Sequence, residues 1–267
     1  MTVKNEVPTT AKTNAPVTLQ PPPRAATVDP AAVATIPPDF PNTPPYNYPL
    51  IRADRAGDDL DLFCDITVGL MIGDVYRYLL DGVARPDLVE LTSADLVAGK
   101  VTVPVDGADI SESGVYTYQY QYRSAFETHW SEPSDPTVFV IDVDPPGRPF
   151  LGRLHIDPDV EKNGLTADKL DSLGGYLPAL VPSYQGRTQG DIVIGYLKNT
   201  DGTGTAETAP VQIAFNAADD PLEIHFLKEA FEAVGDGIVE LKYKVIDLAG
   251  NESPESGPLF LDVFVSG

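Results

Sequence analysis

Hydrophobic and polar residues alternate with period two in two stretches of the chain, each opened by glycine: Gly114–Tyr122 and Gly237–Val245. In the second, Val239, Leu241, Tyr243 and Val245 share one face, and Glu240, Lys242 and Lys244 share the other. That is the pattern of a strand with one buried and one wet face. Aligning the two glycines puts Tyr116, Tyr118, Tyr120 and Tyr122 on the buried side, where their hydroxyls need partners at the core margin. Each stretch follows an acidic turn and leads into a polar, Pro-containing loop, Trp130–Ser134 or Gly250–Pro254. A closing strand follows each loop, at Thr137–Ile141 and Leu259–Val265.

The repeat extends upstream, where Gly73–Leu79 matches Gly190–Leu197 in kind. Further strands are predicted at Tyr48–Ala53, Asp61–Val68, Val75–Leu80 and Lys100–Val105 in the first copy. The second copy has them at Phe150–Ile156, Leu177–Val181, Asp191–Leu197, Val211–Phe215 and Leu222–Phe226. Helical spacing marks Leu165–Leu173 and Leu227–Val234, and Glu90–Ala98 reads as a short helical or irregular link. Many short strands with turns between them predict a sandwich or barrel rather than a parallel α/β sheet.

Residues 1–45 are rich in Pro, Ala and Thr. Proline removes backbone donors and favours extended chain, so this segment reads as an arm or tether. Within it, Ala15–Gln20 and Ala31–Ile36 are candidate docked segments. Asp144-Pro-Pro-Gly-Arg-Pro149 cannot continue a central strand and reads as a stiff hinge. The expected organisation is an arm over 1–45, a sandwich over 46–143 and a second over 144–267.

The chain has 267 residues and a formal net charge of −22. Nucleic acids and anionic membranes require clustered Lys and Arg, so neither is an expected partner. Cys64 is the only cysteine, which excludes an intrachain disulfide and a cysteine-based metal site. It falls within a predicted strand, the place of a small core residue. No spacing ties His129, His155 or His225 to it. No apolar run approaches the ~18 residues of a membrane span, and the first residues show no apolar signal region. Phosphate loops, zinc-protease helices and nucleophile elbows are absent from the sequence, so no enzyme is expected.

Val140–Pro149 resembles the linker between bacterial immunoglobulin-like repeats. Tyr243-Lys-Val-Ile-Asp-Leu-Ala-Gly-Asn-Glu-Ser253 is similar to the end of such repeats, and Leu180–Asp191 to their Val-Pro-x-Tyr-x-Gly segment. The first copy, with Ser124–Ser131, is closer to a fibronectin type III ending. The resemblance covers residues 144–267 well and 46–143 more loosely. It implies an all-β chain of two tandem Ig-like sandwiches behind the arm. It also implies a non-enzymatic structural or adhesive role, with adhesin stalks and spacers as relatives. The implied place is the cell surface or the exterior, in the absence of a visible secretion signal, and the cytoplasm stays open.

Three sets of residues are candidate sites. Asp142, Asp144, Asp157 and Asp159 flank the hinge and offer oxygens to calcium, which takes six to eight of them; solvated surface acids are the alternative. Trp130 and Tyr184 stand in loops at sandwich ends, where recognition residues concentrate, and are candidates for a glycan or receptor; core roles are the alternative. Residues 1–45 are the candidate contact to a protein partner or a second copy, in a sharper form by adding a strand to a neighbour's sheet edge.

Overall fold

The computed structural model describes residues 34–36, 48–214 and 220–266. The fold is all-β: two tandem immunoglobulin-like sandwiches, one on either side of the Asp144–Pro149 segment.

The first sandwich contains β1 (Leu50–Ile51), β2 (Leu60–Asp65), β3 (Val75–Leu80), β4 (Val83–Ala84), β5 (Val89–Glu90), β6 (Lys100–Val105), β7 (Gly114–Arg123) and β8 (Thr137–Ile141). Its larger sheet runs β1-β8-β7-β3-β4, with β5 also on β3, and it faces the pair β2-β6. Between β5 and β6 lies α1 (Ser93–Ala98), started by a capping box in which Thr92 and Asp95 satisfy each other's backbone N–H, and ended by left-handed Gly99.

The second sandwich contains α2 (Pro158–Asn163), β9 (Leu165–Thr166), α3 (Ala167–Ser172), β10 (Tyr176–Val181), β11 (Ile192–Asn199), β12 (Thr205–Glu207), β13 (Val211–Gln212), β14 (Leu222–Leu227), α4 (Lys228–Val234), β15 (Gly237–Ile246) and β16 (Leu259–Phe264). The sheet β12-β11-β15-β16-β9, with β13 on β11, faces the pair β10-β14. The two halves share one plan. In each, the long alternating strand pairs antiparallel with the strand before it and the closing strand after it. In each, a two-residue strand then adds in parallel to the closing strand.

The registers make the repeat residue by residue. Gly114 opposes Ile141 as Gly237 opposes Val263, and Val75 opposes Arg123 as Ile192 opposes Ile246. On this alignment Tyr76 and Tyr78 correspond to Val193 and Gly195, and Tyr118 and Tyr120 to Leu241 and Tyr243. All four tyrosines of the first set are buried. Tyr78 donates to Asp109 Oδ2 at 3.0 Å, and Tyr118 Oη lies 3.5 Å from Cys64 Sγ. Among the described residues the hydroxyls of Tyr120 and Tyr243 have no hydrogen-bond partner, so the expectation that every core tyrosine finds one holds only in part. Gly195 is small by necessity: a Cβ there would meet Ile224 and Phe226 at 2.8 Å.

Four predicted elements differ in form. Leu165–Leu173 is not one helix. Leu165 and Thr166 form β9 on the edge of β16, and the Thr166 side chain then caps α3 by accepting from Lys169 N at 3.2 Å. Phe150–Ile156 is no continuous strand because it changes sheets. Leu151 bridges Ser256 on one side and His155 bridges Leu180 on the other. Tyr48–Ala53 gives only β1 before a 3₁₀ turn at Ala53–Arg55. Val211–Phe215 shrinks to β13, and Phe215 lies outside the described residues.

Residues 34–36, expected within the arm, belong to the first sandwich. Thr35 exchanges backbone bonds with Phe63 of 2.8 and 3.1 Å, Ala34 is buried in the core, and Thr137 Oγ1 donates to Ala34 O at 2.8 Å. His155 docks on Leu180 in the same way in the second sandwich, with bonds of 3.0 and 2.8 Å. The first sandwich thus recruits chain from before Tyr46, because its β2 edge needs the strand that β10 receives from His155. The other arm residues, Ala15–Gln20 included, lie outside the described set.

Candidate functional site

The loops at one end of each sandwich hang from a buried aspartate. In the first, Asp74 Oδ2 accepts from Met71 N and Oδ1 from Ala125 N, both at 2.9 Å. This ties the β2–β3 loop to the β7–β8 loop. Its backbone C=O accepts from Leu91 N at 2.7 Å, and Leu91 O accepts from Gly73 N at 3.0 Å. The second sandwich repeats the device. Asp191 accepts from Thr188 N at 3.0 Å, Thr188 Oγ1 at 2.8 Å and Tyr184 Oη at 2.8 Å. Ile213 N donates to Asp191 O, and Gly190 N to Ile213 O. Both aspartates are almost fully buried. Burial raises the Asp191 carboxyl above the usual range, against the pull of the Thr188 and Tyr184 bonds.

Two serines, three residues apart, hold the β7–β8 loop to its strand. Ser131 Oγ accepts from Tyr122 N and Ser134 Oγ from Tyr120 N, while each serine N–H donates to the same residue's carbonyl. Ser253 and Ser256 do the same with Val245 and Tyr243. These four serines occupy the edge that a further strand would otherwise fill.

The loop end of the second sandwich sits on the base of the first. Leu50, Val140 and Ala249 form a buried apolar cluster with Leu248 packed against it. Ala53 N donates to Ala249 O at 2.9 Å, Asn251 Nδ2 to Asp142 O at 3.0 Å, and Gly147 N to Gln185 O at 2.8 Å. Arg52 reaches over Gly250, with Nη2 3.0 Å from where a Cβ would stand. Beside this contact is a cavity of about 440 Å³ lined by Asp142, Asp144, Pro146, Arg148, Thr188 and Asp247. Burial raises the Asp247 carboxyl, and the charges of Asp142 and Asp191 add to the effect.

The structure separates the candidate residues. Trp130 is half-buried on the outer face of the first sandwich, with the Arg77 guanidinium 4.1 Å and that of Arg123 5.1 Å from its ring centroid. Arg77 is held in turn by Gln121 Oε1 at 3.0 and 2.7 Å. Tyr184 is buried against Asp191, so its side chain supports the loop end from within rather than facing solvent. Asp142 and Asp144 line the junction, but Asp157 and Asp159 stand at the start of α2. There Asp157 accepts from Asp159 N and both approach Lys169 Nζ, at 3.3 and 3.6 Å. Among the described residues no group of three or more His, Cys, Asp or Glu side chains is placed to hold a metal. Cys64 is buried and its thiol is pushed up to about 12, chiefly by desolvation. His225 is engaged by Glu223 at 2.7 Å and stacks on Tyr176 with ring centroids 4.1 Å apart.

Sequence reasoning missed the surface that stands out most. At the corresponding loop end of the first sandwich Val68 is 101%, Ile72 62%, Phe126 87% and Val97 91% exposed, and Met71 is also exposed. The β2–β3 and β7–β8 loops carry four of these, and α1, which carries Val97, ends at Gly99, whose C=O accepts from Ile66 N at the start of the β2–β3 loop. The available signal was Gly73-Asp74, whose match to Gly190-Asp191 marks the same loop end twice.

No family model and no curated protein sequence matches the chain. Among solved structures it is similar to a 1.5-MDa bacterial ice-binding adhesin, with 12% identity and a TM-score of 0.44 over 88% of this chain. The chain spans 66% of that structure, just under two thirds. It is also similar to the fibronectin(III)-like modules of Clostridium thermocellum CbhA, at 11% identity and TM-score 0.37, covering 87% of this chain and 94% of the other. Titin domains A168–A170 match at 10% identity and TM-score 0.41, covering 88% and 67%. No helix among the described residues is long and apolar enough to cross a membrane.

Proposed function

We propose that the chain is a non-enzymatic structural or adhesive protein whose two sandwiches act as one stiff segment. The observation that carries this reading is the junction. A shared apolar cluster, two hydrogen bonds between the β15–β16 loop and the first sandwich, and one from the linking segment to Gln185 fix the second sandwich on the first. Independent modules need none of these, since interdomain motion is the default where the contact is small and polar. A stiff spacer holds whatever it bears at a set distance, which suits surface or secreted placement. Small-angle X-ray scattering of the intact chain is the test. The expected curve fits a single rigid particle, and Ala249→Asp, which puts a charge into the apolar cluster, gives a broader distribution of distances. An intact chain that already scatters as two freely jointed bodies defeats the reading.

A further inference from the structure

The loop end of the second sandwich is a seat, filled by the base of the first. The same loop end of the first sandwich is unfilled among the described residues, and its side chains change character. By the register alignment Gln185, Thr188 and Gln189 of the filled seat correspond to Val68, Met71 and Ile72. Leu248 and Ala249 correspond to Ala125 and Phe126. Ala249 is 1% exposed under its neighbour, and Phe126 is 87% exposed. The open seat is therefore more apolar than the filled one, the reverse of what solvent exposure alone would favour. It is also held in shape, since Asp74 ties both of its main loops to the frame.

We propose that this loop end docks a partner protein whose contact surface carries an aliphatic pair flanked by an arginine. Those are the groups that fill the equivalent seat within the chain, where Leu50 and Val140 pack on Ala249 and Arg52 covers Gly250. Charge points the same way. Asp65, Glu90 and Glu127 are exposed beside residues of the seat, Lys100 pairs opposite Asp65, and the Arg123 guanidinium is turned onto the Trp130 ring of the outer face. An acidic rim attracts a basic partner and repels an anionic lipid surface. It also opposes a second seat, and the base of a second copy does not fit. Its positions equivalent to Leu50 and Val140 are Gly164 and Asp262, and its first base is already occupied. The inference deepens the structural reading and rests on it, but the two fail separately: scattering judges the junction, and the following titration judges the seat.

The probe is a capped peptide of residues Tyr48–Ala53, which contains Leu50 and Arg52 and stops short of Asp54, the carboxylate that pairs with Arg52, added to the ¹⁵N-labelled full chain. Amide shift changes at 68–72 and 125–127 are expected. A peptide carrying Leu50→Asp and Arg52→Glu is expected to bind about tenfold more weakly or not at all. The chain variant Ile72→Ser with Phe126→Ser, both exposed positions, is expected to lose the response while keeping the rest of its spectrum. No shift at the seat up to the peptide's solubility limit, shifts confined to 248–251, or equal response to both peptides overturns the proposal. So does a dimer in sedimentation equilibrium that Phe126→Ser dissolves, or co-sedimentation of the chain with vesicles of anionic phospholipid.

Discussion

Where β3 places Tyr78, β11 places Gly195, and the difference spreads through both cores. In the first sandwich stacked rings fill the space between the sheets: Tyr78 on Tyr118 at 6.0 Å and Tyr116 on Phe139 at 5.6 Å between centroids. In the second, Phe226 and Ile224 come from the opposite sheet to occupy what a residue at 195 would otherwise fill. The same backbone frame thus accepts bulk from either sheet, but not from both. What stays fixed between the halves is polar: the Gly-Asp hub and the paired serines. The repeat conserves its hydrogen-bond ties while its apolar filling is exchanged.

The sharpest way to break this comparison is to put the first sandwich's residue into the second. Gly195→Tyr brings a ring onto Phe226 and Ile224 already in contact range. Overpacking of this size costs about 3 kcal/mol or more, and the second sandwich is expected to unfold at markedly lower urea. Near-wild-type stability would mean that the cores are interchangeable after all.

The hubs come next. Asp191→Ala leaves Tyr184 Oη and the Thr188 N–H and hydroxyl without their acceptor, at a cost of about 2–4 kcal/mol. Asp74→Ala, which orphans Met71 and Ala125 N–H, is expected to cost the same order. The Asp191 hub also carries a pH signature. Its folded carboxyl titrates above the unfolded one, so the native state holds the proton more tightly. The stability this contributes is complete below the unfolded carboxylate range and is lost as pH rises through the folded value. Asp191→Asn is expected to flatten that downward slope in denaturation midpoints recorded across mildly acidic pH. A slope unchanged in the variant assigns it to another group, Asp247 first.

Much of the frame was legible in the sequence because period two is a direct image of a pleated strand. Gly114–Tyr122 and Gly237–Val245 lie within β7 and β15, and the buried tyrosines fall on the predicted face. What was not legible depended on partners distant in sequence. Thr35 is strand-like only because Phe63 offers an edge, and Leu165 only because Val263 does. Tyr184 looked like a loop anchor because nothing local shows that its hydroxyl finds Asp191. Val68 and Phe126 are single apolar residues in polar loops, which local pattern cannot distinguish from scattered surface hydrophobics. Their meaning comes from the second sandwich, whose matching loops are covered.

The serine pairs test whether the shared ties are equal in strength. Ser134→Ala and Ser256→Ala each leave a buried tyrosine N–H, Tyr120 or Tyr243, without its side-chain acceptor. Each is expected to cost about 1–2 kcal/mol by urea denaturation. Unequal costs would show that the aromatic core of the first sandwich carries load that the second assigns to its loop.

The smallest difference lies on the outer faces, where Trp130 takes the place of Glu252 just before the first serine. In the second sandwich Glu252 makes an exposed ion pair with Lys244 at 3.2 Å, and such pairs contribute under about 0.5 kcal/mol. In the first, the Trp130 ring lies within reach of two guanidiniums, each worth about 0.5–1 kcal/mol and more where water is displaced. Trp130→Ala is therefore expected to cost about 1–2 kcal/mol and Glu252→Ala close to nothing. The neighbourhood explains the exchange. Arg77 and Arg123 replace Ile194 and Ile246 on that face, and the guanidinium of Arg77 is already fixed by Gln121. Two like charges there need an electron-rich surface near them, and an acid at 130 would neutralise only one. Trp130→Glu separates the accounts. If it matches wild type, simple charge neutralisation holds the loop; if it falls with Trp130→Ala, the flat ring between two cations is what the first sandwich requires.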